Sequence, residues 1–174
     1  MTLALFEELI DKRRRLQGEQ CWAVYAGPST GSHVDSDFGK KVPRKVPILG
    51  NPHLSEDHKF YVGEASLFVQ CAWRLDSQAE VVCGSTDSNS NEGPMLLGLR
   101  AMVGAVVEQV TIAKPALDLR LALSGGLFFS VFCDQTNVDD DEPNYALHTQ
   151  ERIYVVGPRG RVCCETPTEE PPRW

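Results

Sequence analysis

Apolar residues along the first sixteen positions recur with the spacing of a helix. Leu5, Phe6, Leu9, Ile10 and Leu16 fall on one stripe, while Glu7, Glu8, Asp11, Arg13 and Arg14 point elsewhere. Thr2 is placed to cap the start, the acids precede the bases as the helix dipole prefers, and Gly18 offers a left-handed stop. After Gly18 the period falls to two. Residues 20–26 (QCWAVYA) read as a short strand closed by Gly27-Pro28. Leu67, Val69, Cys71, Trp73 and Leu75 alternate with Phe68, Gln70, Ala72 and Arg74, and residues 80–83 return after a turn at 76–78, so 65–84 reads as a β-hairpin. A second helix is predicted over 95–103, ended by Gly104. Val106, Val110 and Ile112 suggest a strand, and the clearest strand has Leu117, Leu119, Leu121 and Leu123 on one face and Asp118 and Arg120 on the other. Ser124-Gly125-Gly126 then turns the chain into residues 127–133, apolar on both faces. Segments 145–148, 152–156 and 161–164 read as further short strands.

Between these elements the pattern lapses. Residues 29–58 turn to Gly, Pro, Ser, Asp, Lys and His, with KKVPRKVP at 40–47, and their prolines argue against a regular element. The stretch 27–58 is therefore expected as one long loop, and its five basic residues, Lys40, Lys41, Arg44, Lys45 and the adjacent Lys59, make it a candidate partner contact. Residues 84–94 and 134–144 are further loops, and 166–174 a poorly ordered tail. Short consecutive strands joined by brief turns predict antiparallel pairing. The expected architecture is α+β, one domain over 1–165, with a twisted sheet covered by the N-terminal helix and a second short helix beside it. Strand count leaves open whether that sheet curls toward a barrel.

Composition narrows the function classes. The chain has 174 residues, 17 basic against 24 acidic, for a formal charge of −7. Such a field repels phosphate and argues against a nucleic-acid partner, while favouring a basic one. Acids lie within the first apolar stretch and the run Lys12-Arg13-Arg14-Arg15 follows it, the reverse of a secretory signal. No apolar run approaches the ~20 residues that cross a bilayer. A cytoplasmic protein without a membrane partner is expected. The six cysteines, mostly inside strand-like runs, then read as reduced core thiols, and no zinc-ligand spacing appears.

Candidate chemistry is sparse. Asp139, Asp140, Asp141 and Glu142, with Asp134 before them, form an acidic run that could face a basic partner but lacks the alternating pattern of a calcium loop. His53 and His58 flank Glu56 and Asp57 at a spacing that does not align on a helix, and they read as surface histidines. His148 is the best single candidate for catalysis: it ends a strand near the acidic loop, where a carboxylate would tune it toward neutrality. No nucleophile elbow, phosphate loop or dinucleotide fingerprint occurs, so no cofactor is expected. Trp174, at the tip of the tail, is exposed or docks on a neighbour, the one sign of a homodimer.

Residues 98–133, NYAL at 144–147 and YVVGPRGRV at 154–162 resemble small uncharacterised bacterial proteins. In these a glycine-led strand precedes a D-L-x-L-x-L strand, a Gly-Gly hairpin and a final strand containing Tyr or Trp. Some of them are thought to be toxin-immunity factors. The resemblance implies a β-rich fold and an accessory role, and it carries over no catalytic residue. The leading expectation is a non-enzymatic protein-binding domain with an acidic face. The alternatives are a small hydrolase or metal-dependent enzyme using His148 with nearby carboxylates, and a sheet that binds a small molecule.

Overall fold

The computed structural model describes residues 3–50, 54–139 and 142–167. Thr2, His53, Asp140, Asp141 and Trp174, each assigned a role from sequence, lie outside the described residues. Helices α1 (Leu3–Lys12), α2 (Glu56–Phe60) and α3 (Pro94–Leu99) accompany eleven strands. These are β1 (Cys21–Tyr25), β2 (Val34–Pro43), β3 (Tyr61–Val69), β4 (Ala72–Asp76), β5 (Val81–Gly84), β6 (Val107–Ala113), β7 (Asp118–Leu123), β8 (Leu127–Phe132), β9 (Tyr145–Thr149), β10 (Ile153–Gly157) and β11 (Arg161–Glu165). The class is α+β with antiparallel pairing throughout, as the two-residue period predicts.

The strands divide between two sheets, however, where one was expected. The first has the order β1-β2-β3-β9-β10-β11 and the second β5-β4-β8-β7-β6, and neither closes into a barrel. The run read as one strand through Leu67 and Leu75 is broken at residues 70–71, β3 lying in the first sheet and β4 in the second. Period-two patterning reports which side of a strand is dry. It passes unbroken through this corner because both halves face the same interior.

A second correction concerns residues 27–58. Ten of them form β2, paired to β1 and β3, and the short α2 begins within the stretch too. Pro43 is the last residue of β2, so the prolines terminate it without interrupting it. The strand escapes the usual pattern because polar residues occupy both of its faces. Val34, Ser36 and Phe38 are buried toward the core, and Asp35 and Asp37 lie on the opposite face.

The core fills the space between the sheets. Its largest enclosed side chains are Trp73, Tyr145, Tyr154, Phe38 and Phe129. Their polar atoms are met: Trp73 Nε1 donates to Ser32 O at 2.6 Å and the Tyr145 hydroxyl to Leu117 O at 3.0 Å. Strand β6 starts beside β1, where Gly18 N–H donates to Val107 O at 2.8 Å, and ends near the β10–β11 turn, where Gly160 approaches Pro115 O. Helix α1 closes one flank. Leu9 enters the core, Glu8 accepts a hydrogen bond from the Tyr154 hydroxyl at 2.6 Å, and Lys114 sits 4.1 Å from the centre of the Phe6 ring.

Candidate functional site

The outer face of the first sheet carries a row of polar side chains. Pairing sets Tyr25 opposite Asp35, Asp37 opposite Ser66, and Ser66 opposite His148, so these residues share the side that points away from the core. Residues 44–50 and 54–60 form a strap that folds back over them. The strap is pinned to itself by Arg44 N–H to Phe60 O at 2.8 Å and Ile48 N–H to Lys59 O at 3.0 Å. Ser55 caps α2 through its hydroxyl, which accepts from the His58 N–H at 3.2 Å.

Two strap side chains point inward. His58 is 2% exposed, its ring lies 3.5 Å centre to centre from Tyr25, and its Nδ1 is 3.9 Å from Asp37 Oδ2. The Arg44 guanidinium donates to His58 O at 2.8 Å and approaches the Nδ1 at 3.4 Å. Asp37 is 1% exposed and accepts the Gly63 N–H through Oδ1 at 2.7 Å. At the edge of the cluster, Lys41 ties three elements together: it pairs with Asp57 of α2 at 2.8 Å and stands 5.0 Å from the centre of the Trp22 ring.

Electrostatics follow from this enclosure. Burial, and then the neighbouring Asp37, push the Asp35 carboxyl up to about 7, with Arg44 opposing them. Although Asp35 as a residue is only partly covered, its Oδ1 is fully enclosed, and neither that oxygen nor Asp37 Oδ2 meets a donor. Burial also raises the Tyr25 hydroxyl and keeps it protonated. His148, on the same face, is pushed down to about 4 by burial, with Asp37 only partly offsetting the loss of water.

That value differs from the tuning toward neutrality expected of His148, and the reason is position. His148 stands four residues along β9 from Asn144, roughly 13 Å at the rise of a strand. The acidic loop lies at the other end of that strand. Asp134 leaves β8 and accepts the Ala72 N–H at 3.4 Å, Asp139 and Glu142 are exposed, and Asp140 and Asp141 are outside the described residues. The structure therefore brings His148 together with Asp37, and not with Asp134, Asp139 or Glu142. His58, read as a surface residue, is among the most buried polar groups. Sequence reasoning missed Asp35 and Asp37, and read Arg44 only as part of a basic partner contact. The signal that marks the pair is Asp-x-Asp in register with a strand, which puts two carboxylates on one face.

The cluster can hold a proton on Asp35 near neutrality and bind the strap to the sheet. Its one hydroxyl between Asp37 and His148, that of Ser66, is buried. Among the described residues no group of three or more His, Cys, Asp or Glu is placed to hold a metal ion, and no helix is long and apolar enough to cross a membrane. A cleft of about 110 Å³ between β1 and the chain after Gly93, lined by Val24, Ala26, Leu96, Leu99, Arg100 and Val103, is far below the ~300 Å³ of an ordinary small-molecule site. No family model, curated protein or solved structure matches the chain.

Proposed function

We propose that the chain is a non-enzymatic binding domain that engages a protein partner through the outward face of the strap. One observation carries this reading: the polarity of the strap is inverted. Leu49 is 71% exposed, Val46 44%, Phe60 40% and the adjoining Tyr61 37%, while His58 is sealed beneath them. A segment folded only for its own stability would turn these side chains the other way, and contiguous exposed apolar residues with charges around them are the mark of an interface. Lys40, Lys41, Lys45 and Lys59 belong to the strap and the strand end beside it and outnumber Glu56 and Asp57, with which Lys59 and Lys41 pair, so the partner that fits is acidic with an apolar centre. The acidic loop, expected as the binding face, has only Val138 among the exposed large apolar residues. An immunity or accessory factor is one form such a role takes.

Catalysis at the buried cluster is less well supported, because Asp37 and His58 are closed to a substrate. The test is affinity capture from native lysate with three baits: wild type, Leu49→Asp/Phe60→Asp, and Asp134→Asn/Asp139→Asn/Glu142→Gln, each checked for native circular dichroism. A protein retained by the first and third baits and lost by the second is expected. Loss by the third alone would overturn the strap reading in favour of the acidic face.

A further inference from the structure

The chain enters and leaves the second sheet through one neck, although the start of β6 is also hydrogen-bonded to residues 18–21. All five of its strands lie between Cys71, where the chain leaves β3, and Cys133, where it leaves β8 for the acidic loop. Ala72 pairs with Phe132, so the next step of the ladder sets Cys71 opposite Cys133. The backbone directions say which kind of pair this is. Cys71 N–H donates to Asn144 O at 3.1 Å and Cys133 N–H to Asp118 Oδ1 at 2.7 Å, so neither points across the ladder. Such non-hydrogen-bonded positions bring Cα atoms to about 4.5 Å and side chains closest, inside the range of roughly 4.4–6.8 Å that a disulfide spans. The two thiols are close enough that Cys71 bears on the proton of Cys133. Cys71 is buried and Cys133 half-buried, which leaves a route for a small oxidant.

We propose that Cys71 and Cys133 are an oxidation site that closes to a cross-strand disulfide on exposure to a hydroperoxide, tying off the five-stranded sheet at its neck. The sulfur of Cys133 attacks the peroxide, an S–O bond forms as the O–O bond breaks, and the first water (or alcohol) leaves. Cys71 sulfur then displaces the hydroxyl from that sulfenic acid, the S–S bond forms, and a second water departs. Two thiols lose two electrons and two protons, which the peroxide takes up. The adjacent Cys71 thiol, burial and the neighbouring Asp118 and Asp134 hold the proton on Cys133, so the reaction is slow at neutral pH and quickens with alkalinity.

The remaining cysteines are placed differently. Cys21 and Cys83 are buried, and Cys163 and Cys164 are neighbours on β11 whose side chains point to opposite faces. The test treats the wild-type chain with hydrogen peroxide at mildly alkaline pH, followed by alkylation in denaturant and peptide mapping without reductant. A peptide joining residues 71 and 133, two hydrogen atoms lighter than the sum of its parts, is expected. A rise in Tm that dithiothreitol reverses should accompany it and be absent from Cys133→Ser. Both thiols alkylated after treatment, or Cys133 carried to sulfinic acid without a link, would overturn the proposal.

Discussion

Burial holds a proton on Asp35 up to about pH 7 and keeps one off His148 down to about pH 4. The two shifts act on stability with opposite signs. Asp35 binds its proton more tightly folded than unfolded, so its contribution is best below its ordinary value of 3.8 and is lost as pH rises toward about 7. His148 is the reverse, costing nothing above 6.5 and progressively more as pH falls toward about 4. Between about 4 and 6.5 they offset each other, and the wild-type chain should show a shallow stability profile there. Asp35→Asn is expected to unmask His148, giving a stability that climbs with pH across that window. His148→Gln should unmask Asp35 and give one that falls, each by roughly 1–3 kcal/mol end to end. Urea unfolding at four or five pH values reads both slopes, and parallel profiles for the two variants would refute the assignment. Asp37 differs in kind because its Oδ1 is committed to the Gly63 N–H. Asp37→Ala leaves that buried donor unmet and should cost about 1–3 kcal/mol.

At the scale of elements, one close approach makes the packing of α3 testable. A Cβ on Gly98 would lie 2.6 Å from Cys83 Sγ, so Gly98→Ala should destabilise by roughly 1–3 kcal/mol. The Cys83 Cβ lies at 2.7 Å from the same point, so removing both atoms in Gly98→Ala/Cys83→Gly should recover part of the loss, and a simple sum of the two single effects in thermal melts would contradict the contact. The strap behaves differently, since Leu49 and Val46 face outward and Leu49→Asp should move stability by no more than about 0.5 kcal/mol. Elements with one clean period were readable from the chain: α1 from its single stripe, and β7 from Leu119, Leu121 and Leu123 set against Asp118 and Arg120. Strand β2 was not, because Asp35, Ser36 and Asp37 put polar groups on both faces, a choice that makes sense only once the strap covers the outer one. The same cover hid the site. Arg44 and His58 sit in a Pro-rich segment that reads as solvated loop, and only the fold reveals that it doubles back onto Asp37. The acidic run was legible as charge, but charge alone does not say that β9 separates it from His148.

Across the whole molecule the charges are sorted by position. The basic strap lies at the end of the first sheet where Pro43 pairs with Tyr61, and the acidic loop follows the other end, beyond Val69 and Tyr145. A net charge of −7 therefore conceals a local basic patch with an apolar centre. Association through that patch should slow as salt rises, since rim charges act chiefly on the rate of encounter. The apolar centre should set the lifetime of the complex, so Phe60→Ala is expected to speed dissociation several-fold with little change in the salt response. The central claim is that the strap, held down by Arg44 and His58 over Asp37, is the face that meets the partner. Amide hydrogen exchange on the chain with its captured partner bound tests this most directly. The account predicts new protection concentrated in residues 44–61 with 134–142 unchanged, and protection confined to the acidic loop or to α3 would contradict it.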